Sequence, residues 1–336
     1  MKLLVTGGAG FIGSHAVLEF LLAGHDVLSL DNYSNSSPES LKRVAKLAGR
    51  AAEALEGDLR DEALMLALMR EKRFDAVVHF AGLKAVGESV EKPLLYVDNN
   101  IVGSAHLLKA MKDSGCRNLV FSSSCTVYGM PQANPIGEQH PRAALNPYGR
   151  SKLVIEDMCY DLARSEPGWH MALLRYFNPV GAHESGDIGE DPKGLPNNLV
   201  PYVMQTAVGR RAFVNVWGSD YPTPDGTGIR DYIHVVDLAK AHLAAVERIA
   251  SFNGAEPVNL GTGKGYSVLE LIAAASKAAG KDIPYKLAPR RAGDAPEVWG
   301  NPSLALTKLG WKAERGLDAM VADHWRWQKQ NPDGYK

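Results

Sequence analysis

The chain has 336 residues, 45% of them hydrophobic and 22% charged, with a formal net charge of -1. That balance describes a globular protein with a sizeable core, built as one large domain or two unequal ones, and excludes a disordered or membrane-embedded chain. It also lacks the basic field that would draw it to nucleic acid.

The opening "MKLLVTGGAGFIGS" begins with an apolar run, "LLVTG", that reads as a first strand; Gly7 and Gly8 cut it too short for a secretory leader. "TGGAGFIGSH" follows at 6 to 15 and sets Gly7, Gly10 and Gly13 at a G-x-x-G-x-x-G spacing before a helix. Each glycine has a task there: a tight turn, close backbone approach to a pyrophosphate, and close helix packing. The anion would sit on free N–H groups at the helix N-terminus. A second strand, "DVLSLD", ends in Asp31, where a carboxylate can bind ribose hydroxyls and repel a 2'-phosphate, so NAD is expected rather than NADP. Asp58, after "LEG", closes a third strand and is placed to meet adenine, or else caps the helix of "LRDEALM".

"FDAVVHFAG" is the fourth strand, which puts Phe80, Ala81, Gly82 and Lys84 along the middle of the cofactor. Residues 93 to 113 open on a proline and carry apolar residues at spacings of three and four, as one helix does. "NLVFSSS" is the fifth strand and ends at Ser124; Cys125 beside it is read as a packing residue. "NPYGRSK" then sets Tyr148 and Lys152 four apart, on one face of a helix. A free tyrosine has a pKa near ~10, so serving as a base near neutrality requires a drop of about three units, or roughly 4 kcal/mol. One ammonium at about 5 Å supplies roughly 3 kcal/mol at an effective dielectric of ~20. Oxidised nicotinamide would add the second cation. The bland alternative for this spacing is a surface pair on an amphipathic helix.

After a sixth strand, "MALLRYF", the texture changes: residues 178 to 198 are rich in Gly, Pro, Asp and Asn and read as a long functional connection. Helices at about 198 to 209, 236 to 250, 267 to 279 and 317 to 329 and strands such as "FVNVW" and "PVNL" then read as a smaller lobe. The two tryptophans of "DHWRWQKQ" are read as packing. No run reaches the roughly 18 apolar residues of a membrane span. Cys116, Cys125 and Cys159 are odd in number and form no CxxC, and the ten histidines include no HExxH. No disulfide framework and no metal are expected, and a soluble, unprocessed cytoplasmic protein is.

These stretches resemble the extended short-chain dehydrogenase/reductases and, within them, the UDP-glucose 4-epimerases. The resemblance runs through "LVTGGAGFIGSH", "HFAGLKAVGES", "FSSSCTVYG", "NPYGRSK", "LRYFNPVGAH", "GEDPKGLPNNLVPY", "YPTPDGTGIRDYIHV", "LGTGKGYSV" and "APRRAGD". It implies an α/β, Rossmann-type doubly wound parallel sheet (1–178) with a smaller C-terminal α/β substrate lobe (179–336), segments such as 230–250 returning to the first domain. It further implies a homodimer in which the helix around 93 to 113 and the one following Tyr148 make a bundle across the twofold. Tyr148, Lys152 and Ser124 are the expected catalytic set. By position, Phe11, Ile12, Asn32, Asn35, Ser36, Leu59, Asn99, Phe177 and the catalytic Tyr148 and Lys152 join the NAD residues named above. Lys84, Asn178, Asn198, Leu199, Asn215, Trp217, Arg230, Tyr232, Arg291, Asp294 and Val298 join Ser124 and Tyr148 around a UDP-sugar. Val298 matches the wall beside the sugar's C2 substituent; it is small, which implies that UDP-GlcNAc and UDP-GalNAc are also interconverted.

Three competitors fit less well. Nucleotide-sugar dehydratases need an acid and a base where Cys125 and Thr126 stand, Asp31 disfavours an NADPH reductase, and a UDP-glucuronate epimerase would carry a different lobe. A non-catalytic NAD-sensing module would have no need of Ser124, Tyr148 and Lys152.

Overall fold

The computed structural model describes residues 1–194, 196, 198–291 and 293–336. In chain order it contains β1 (Lys2–Thr6), α1 (Phe11–Leu22), β2 (Asp26–Asp31), α2 (Pro38–Ala48), β3 (Glu53–Glu56), α3 (Glu62–Lys72), β4 (Ala76–His79), α4 (Val86–Glu91) and α5 (Pro93–Tyr96). A π-helical stretch (Val97–Val102) leads into α6 (Gly103–Ser114), then come β5 (Asn118–Ser124), a 3-10 turn (Cys125–Tyr128), α7 (Pro147–Ser165) and β6 (His170–Tyr176). The rest is β7 (Asn178–Val180), α8 (Leu199–Ala207), β8 (Val214–Trp217), β9 (Ile229–His234), α9 (Val235–Glu247), β10 (Gly254–Leu260), β11 (Gly265–Ser267), α10 (Val268–Ala279), β12 (Tyr285–Ala288), β13 (Glu297–Val298), α11 (Ser303–Leu309) and α12 (Leu317–Gln330). Among the described residues no helix is long and apolar enough to cross a membrane.

Two compact units result. The first takes Met1–Gly129, Pro141–Tyr176 and Ala239–Val258. Its seven-stranded sheet runs β10-β6-β5-β4-β1-β2-β3, and every neighbouring pair from β6 to β3 is parallel. Helices cover both faces, which is why β1 and β4 read as unbroken apolar runs: Leu3, Leu4, Val5, Val77 and Val78 are fully buried. Met65, Met69, Leu107, Met111 and Ile155 pack from the helical layers into that core, and Trp169 joins them from the connection between α7 and β6. One polar chain crosses it: His79 hydrogen-bonds Thr6 Oγ1 at 2.7 Å and Ser104 Oγ at 2.8 Å. Burial, helped by the Lys152 charge, holds that imidazole neutral, down to about 3.

The second unit takes Met130–His140, Phe177–Leu238 and Asn259–Lys336. Its sheet runs β11-β9-β13, with β7 also on β9, and β12 pairs β8 separately. Val180, Val203, Met204, Leu271, Ala275 and Met320 form its core. Asp231 on β9 is fully buried and gathers two turns, accepting from Thr262 N and Oγ1 and Gly263 N in one and Gly300 N in the other. Trp327 is buried at 1% exposure and donates to Glu190 O, while Trp325 packs on the core; both tryptophans are structural.

Three expectations change. Residues 93 to 113 are not one α-helix: the middle turn widens to π geometry at Asn99 and Asn100, where the Asn100 side chain bonds Leu83 N, Leu83 O and Ser151 Oγ. "PVNL" lies in β10, at the edge of the large sheet rather than in a sheet of the smaller lobe, because α9 carries the chain back there. The connection after Phe177 opens with a short strand, Asn178–Val180, paired to β9.

Candidate active site

In a parallel sheet every strand ends at the same edge, and the turns that follow those ends collect there. The first unit puts at that edge Gly7 to Gly13 after β1, Asp31 to Ser36 after β2, Asp58 and Leu59 after β3, Phe80 to Lys84 after β4, and Ser124 at the end of β5.

The turn after β1 is built for close approach. A methyl on Gly13 would sit 2.1 Å from Gly7 O, and one on Gly7, whose φ is +72°, would meet Ala81 N at 2.7 Å. Gly10 serves as N-cap of α1 with no side-chain cap, and the first turn, with Phe11 and Ile12, carries no acid. The helix therefore presents uncapped N–H groups and an unquenched dipole, which fits a pyrophosphate. Asp31 is buried and ties the cradle to the next turn: it accepts from Ala9 N (3.0 Å), Tyr33 N (2.9 Å) and Ser36 Oγ (2.8 Å). Tyr33, unforeseen from sequence, takes a positive φ of 52°, a strain that the Asp31 bond to its N–H helps to hold.

Asp58 is not the helix cap; Asp61 is, accepting from Leu64 N at 2.9 Å. Asp58 instead accepts from Arg60 Nη2 (2.8 Å) and Nε (2.9 Å) and from Asn32 Nδ2 (2.9 Å), and the Arg60 guanidinium holds its carboxyl well below the usual range. Arg60 reaches on to Asp98 at 2.8 Å. Sequence reasoning missed it, since its two partners lie on different elements. Leu59 is buried, Asn35 and Lys84 are exposed, and Asn99 lies partly buried in the π-helical stretch.

Asn146 starts α7 by accepting from Gly149 N at 2.8 Å, with Pro147 in the first turn, so Tyr148 and Lys152 follow on one face. Lys152 is buried, donates to Ser122 O at 2.7 Å and lies 4.9 Å from the Phe121 ring centre. Burial pushes its pKa down to about 8. Burial pushes Tyr148 up to about 12, opposed by a hydrogen bond with Ser124. This enlarges the shift required of the phenol: from 12, a base near neutrality needs about five units, or roughly 7 kcal/mol. Ser124 Oγ accepts from Thr126 N (3.2 Å) and Thr126 Oγ1 (2.9 Å), which leaves its own proton to give. The sequence named Thr126 only against a dehydratase and not as a partner of Ser124; its place two residues after Ser124 was the available signal.

The remaining candidates lie in the second unit. Phe177 is buried there, its N–H bonded to Leu260 O. Register sets Asn178 beside Tyr232 and Val298 beside Arg230. Tyr232 belongs to the core, and its phenol is pushed up to about 12 by burial. Asn198 is the N-cap residue of α8, followed by Leu199, and its side chain donates to Glu190 at 3.2 Å. Asn215 and Trp217 are alternate residues of β8 and so share a side, opposite the buried Val214 and Val216. Arg291 Nε bonds Asp294 Oδ2 at 3.0 Å. β8 pairs with β12 and belongs to a different sheet from Arg230 and Val298.

A family model described as "NAD dependent epimerase/dehydratase family" matches residues 3–261. The chain is 57% identical to a UDP-glucose 4-epimerase of Mus musculus over 99% of this chain and 98% of that one. A crystal structure of UDP-glucose 4-epimerase from Bifidobacterium longum in complex with NAD+ and UDP superposes with a TM-score of 0.96, at 54% identity and covering 100% of both chains. The UDP-Glc/GlcNAc 4-epimerase of Campylobacter jejuni is more distant, at 38% identity and a TM-score of 0.86, covering 98% of this chain and 99% of that one.

Replacing Gly13 by Ala forces a methyl against Gly7 O in the tightest part of the cradle. The expected outcome is a loss of NAD affinity of at least about 100-fold by titration calorimetry, with the circular-dichroism spectrum unchanged.

Proposed function

We propose that this chain, which belongs to the NAD dependent epimerase/dehydratase family, is a UDP-glucose 4-epimerase that interconverts UDP-glucose and UDP-galactose. The observation that carries this is the likeness to UDP-glucose 4-epimerases along the full length, second unit included, together with Ser124, Tyr148 and Lys152 at one sheet edge. Bound NAD supplies a reversible acceptor for the hydrogen on sugar C4. Tyr148 takes the C4 hydroxyl proton, Ser124 donates to the same oxygen and steadies it, and the 4-keto sugar turns over before the hydrogen returns to its other face.

Charge makes Tyr148 a base. An ammonium at about 5 Å contributes roughly 3 kcal/mol at an effective dielectric of ~20, less than half of the roughly 7 kcal/mol required. Oxidised nicotinamide is a second cation, and two such charges together bring the phenol close to neutrality. Tyr148 thus gives up its proton readily only beside the oxidised cofactor and holds it once that charge is gone, which couples proton movement to the redox step.

In the second unit, Arg230 and Arg291 suit a diphosphate because their planar forks bind oxygen pairs, and Trp217, 42% exposed, suits the uracil face. Binding energy concentrated on UDP leaves the sugar free to turn. Val298 is partly buried and small, which supports room for an N-acetyl group at C2 of the sugar. Val90, Leu94 and Val97 are exposed at 63%, 79% and 43%, which supports a homodimer through the segment from 86 to 102.

Purified protein given UDP-galactose without added cofactor should form UDP-glucose, and UDP-GalNAc should also be epimerised. Turnover of UDP-galactose alone would keep the epimerase and remove the role of Val298; no turnover even with added NAD would point to a non-catalytic NAD-binding protein. In Lys152→Met the phenol loses its nearer cation, so kcat at pH 7 should fall by at least about 100-fold. The acid limb of its pH profile should move to higher pH by a unit or more, activity recovering as pH rises. Sedimentation of the wild type should give twice the 36.3 kDa chain mass, and Leu94→Asp should shift it toward one.

A further inference from the structure

The stripe of α7 that carries Tyr148 and Lys152 continues for one more turn to Glu156, at spacings of i, i+4 and i+8. Glu156 has no part in the proton and hydride steps, yet it is fully buried and saturated with donors. Its Oε1 accepts from Ser123 Oγ at 2.6 Å and Arg175 Nε at 2.8 Å. Its Oε2 accepts from Arg175 Nη2 at 2.6 Å and Arg142 Nη1 at 3.3 Å. Arg175, 1% exposed, donates its remaining nitrogen to the Tyr128 hydroxyl at 3.0 Å and lies 4.9 Å from that ring's centre.

Stability does not account for this arrangement. Burying an ion pair costs about as much in desolvation as the attraction returns, and apolar side chains of equal volume often do as well. What the bidentate fork provides is fixed geometry. The elements it joins are telling: Ser123 adjoins Ser124 on β5, Tyr128 closes the 3-10 turn that starts at Ser124, Arg175 stands on β6, and Glu156 stands one turn below Lys152. Lys152 itself bonds the carbonyl of Ser122, so consecutive residues of β5 hold consecutive turns of α7.

We propose that Glu156 and Arg175, with Ser123, are positioning residues that lock the register of α7 on β5, so that Tyr148 and Lys152 are held opposite Ser124. The proposal rests on the epimerase reading above. A slip of one helical residue would move the phenol 1.5 Å along the axis and rotate it by about 100°, and misplacement of about 1 Å can cost 100-fold in rate. The NAD cradle lies on β1 and α1 and is untouched by the lock.

The test is the volume-matched double variant Glu156→Leu/Arg175→Met, beside Ser123→Ala, wild type and Tyr148→Phe, assayed with UDP-galactose. Expected is a fall in kcat of about 30- to 100-fold in the double variant and several-fold in Ser123→Ala, with NAD and UDP affinities within about twofold of wild type. The acid limb of the pH profile should rise in step, because the phenol is less well aligned with Lys152. Wild-type kcat and pH profile in the double variant overturn the lock, and so does an equal loss of cofactor affinity, which marks a general structural role. If wild type itself turns nothing over, the epimerase reading falls and the lock is judged by carbon-13 tyrosine titration of Tyr148 alone: a raised pKa in the double variant supports it, an unchanged one overturns it. Single variants leave a buried charge unpaired, so the double variant and Ser123→Ala carry the test where they fail to fold.

Discussion

The chemistry of this site depends on a helix, α7, that buries Lys152 and Glu156 against the sheet and leaves Tyr148 partly buried above them. Desolvation works against the proposed function at both groups: it pushes Tyr148 up to about 12 and Lys152 down to about 8, away from phenolate and ammonium. The same dryness makes compensation effective, because a charge nearby counts for more where the dielectric is low. A surface tyrosine would start closer to neutrality but would hardly respond to its neighbours. Under the proposed function, the site accepts a poor resting base for one whose strength would follow the charge of the cofactor.

Such burial is tolerable only where each polar atom has a partner. The carboxyl-end halves of β1, β2, β4 and β5 supply many of them. Thr6 and Ser104 close both nitrogens of His79, the Ser122 carbonyl takes Lys152, and Asp31 gathers the backbone N–H of Ala9 from the cradle itself. Parallel pairing is what makes this possible, because it brings the ends of strands far apart in sequence to one edge, with helix N-termini facing the same way.

Local features of this arrangement were legible in the sequence. "DVLSLD" and "NLVFSSS" are β2 and β5 residue for residue, since a strand covered on both faces is an apolar run bounded by turns. The glycine cradle and the Tyr148–Lys152 spacing were visible because both are short-range patterns. Features that depend on distant partners were not. Nothing near Asp58 says that Arg60 and Asn32 will occupy it while Asp61 caps the helix. Nothing in the heptad-like pattern of 93 to 113 marks the widened turn that Asn100 makes with Leu83 and Ser151, seventeen and fifty-one residues away. Glu156 reads as an ordinary surface position on an amphipathic helix until Ser123 and Arg175 are known to converge on it.

The two groups of candidate residues also differ in how ready they are. The cradle is made of backbone N–H groups fixed by the helix and by glycines with no room to move, so a pyrophosphate settling there asks for little reorganisation. The second unit offers side chains that already have partners: Arg291 bonds Asp294, Arg230 bonds the carbonyl of Ile229, and Asn198 bonds Glu190. Each must exchange a partner to grip a ligand, which subtracts from affinity and favours release. That asymmetry suits the proposed reaction. A cofactor that is oxidised and reduced within one turnover has no need to leave, whereas the nucleotide sugar must come and go each time, and its sugar must turn while its nucleotide stays held.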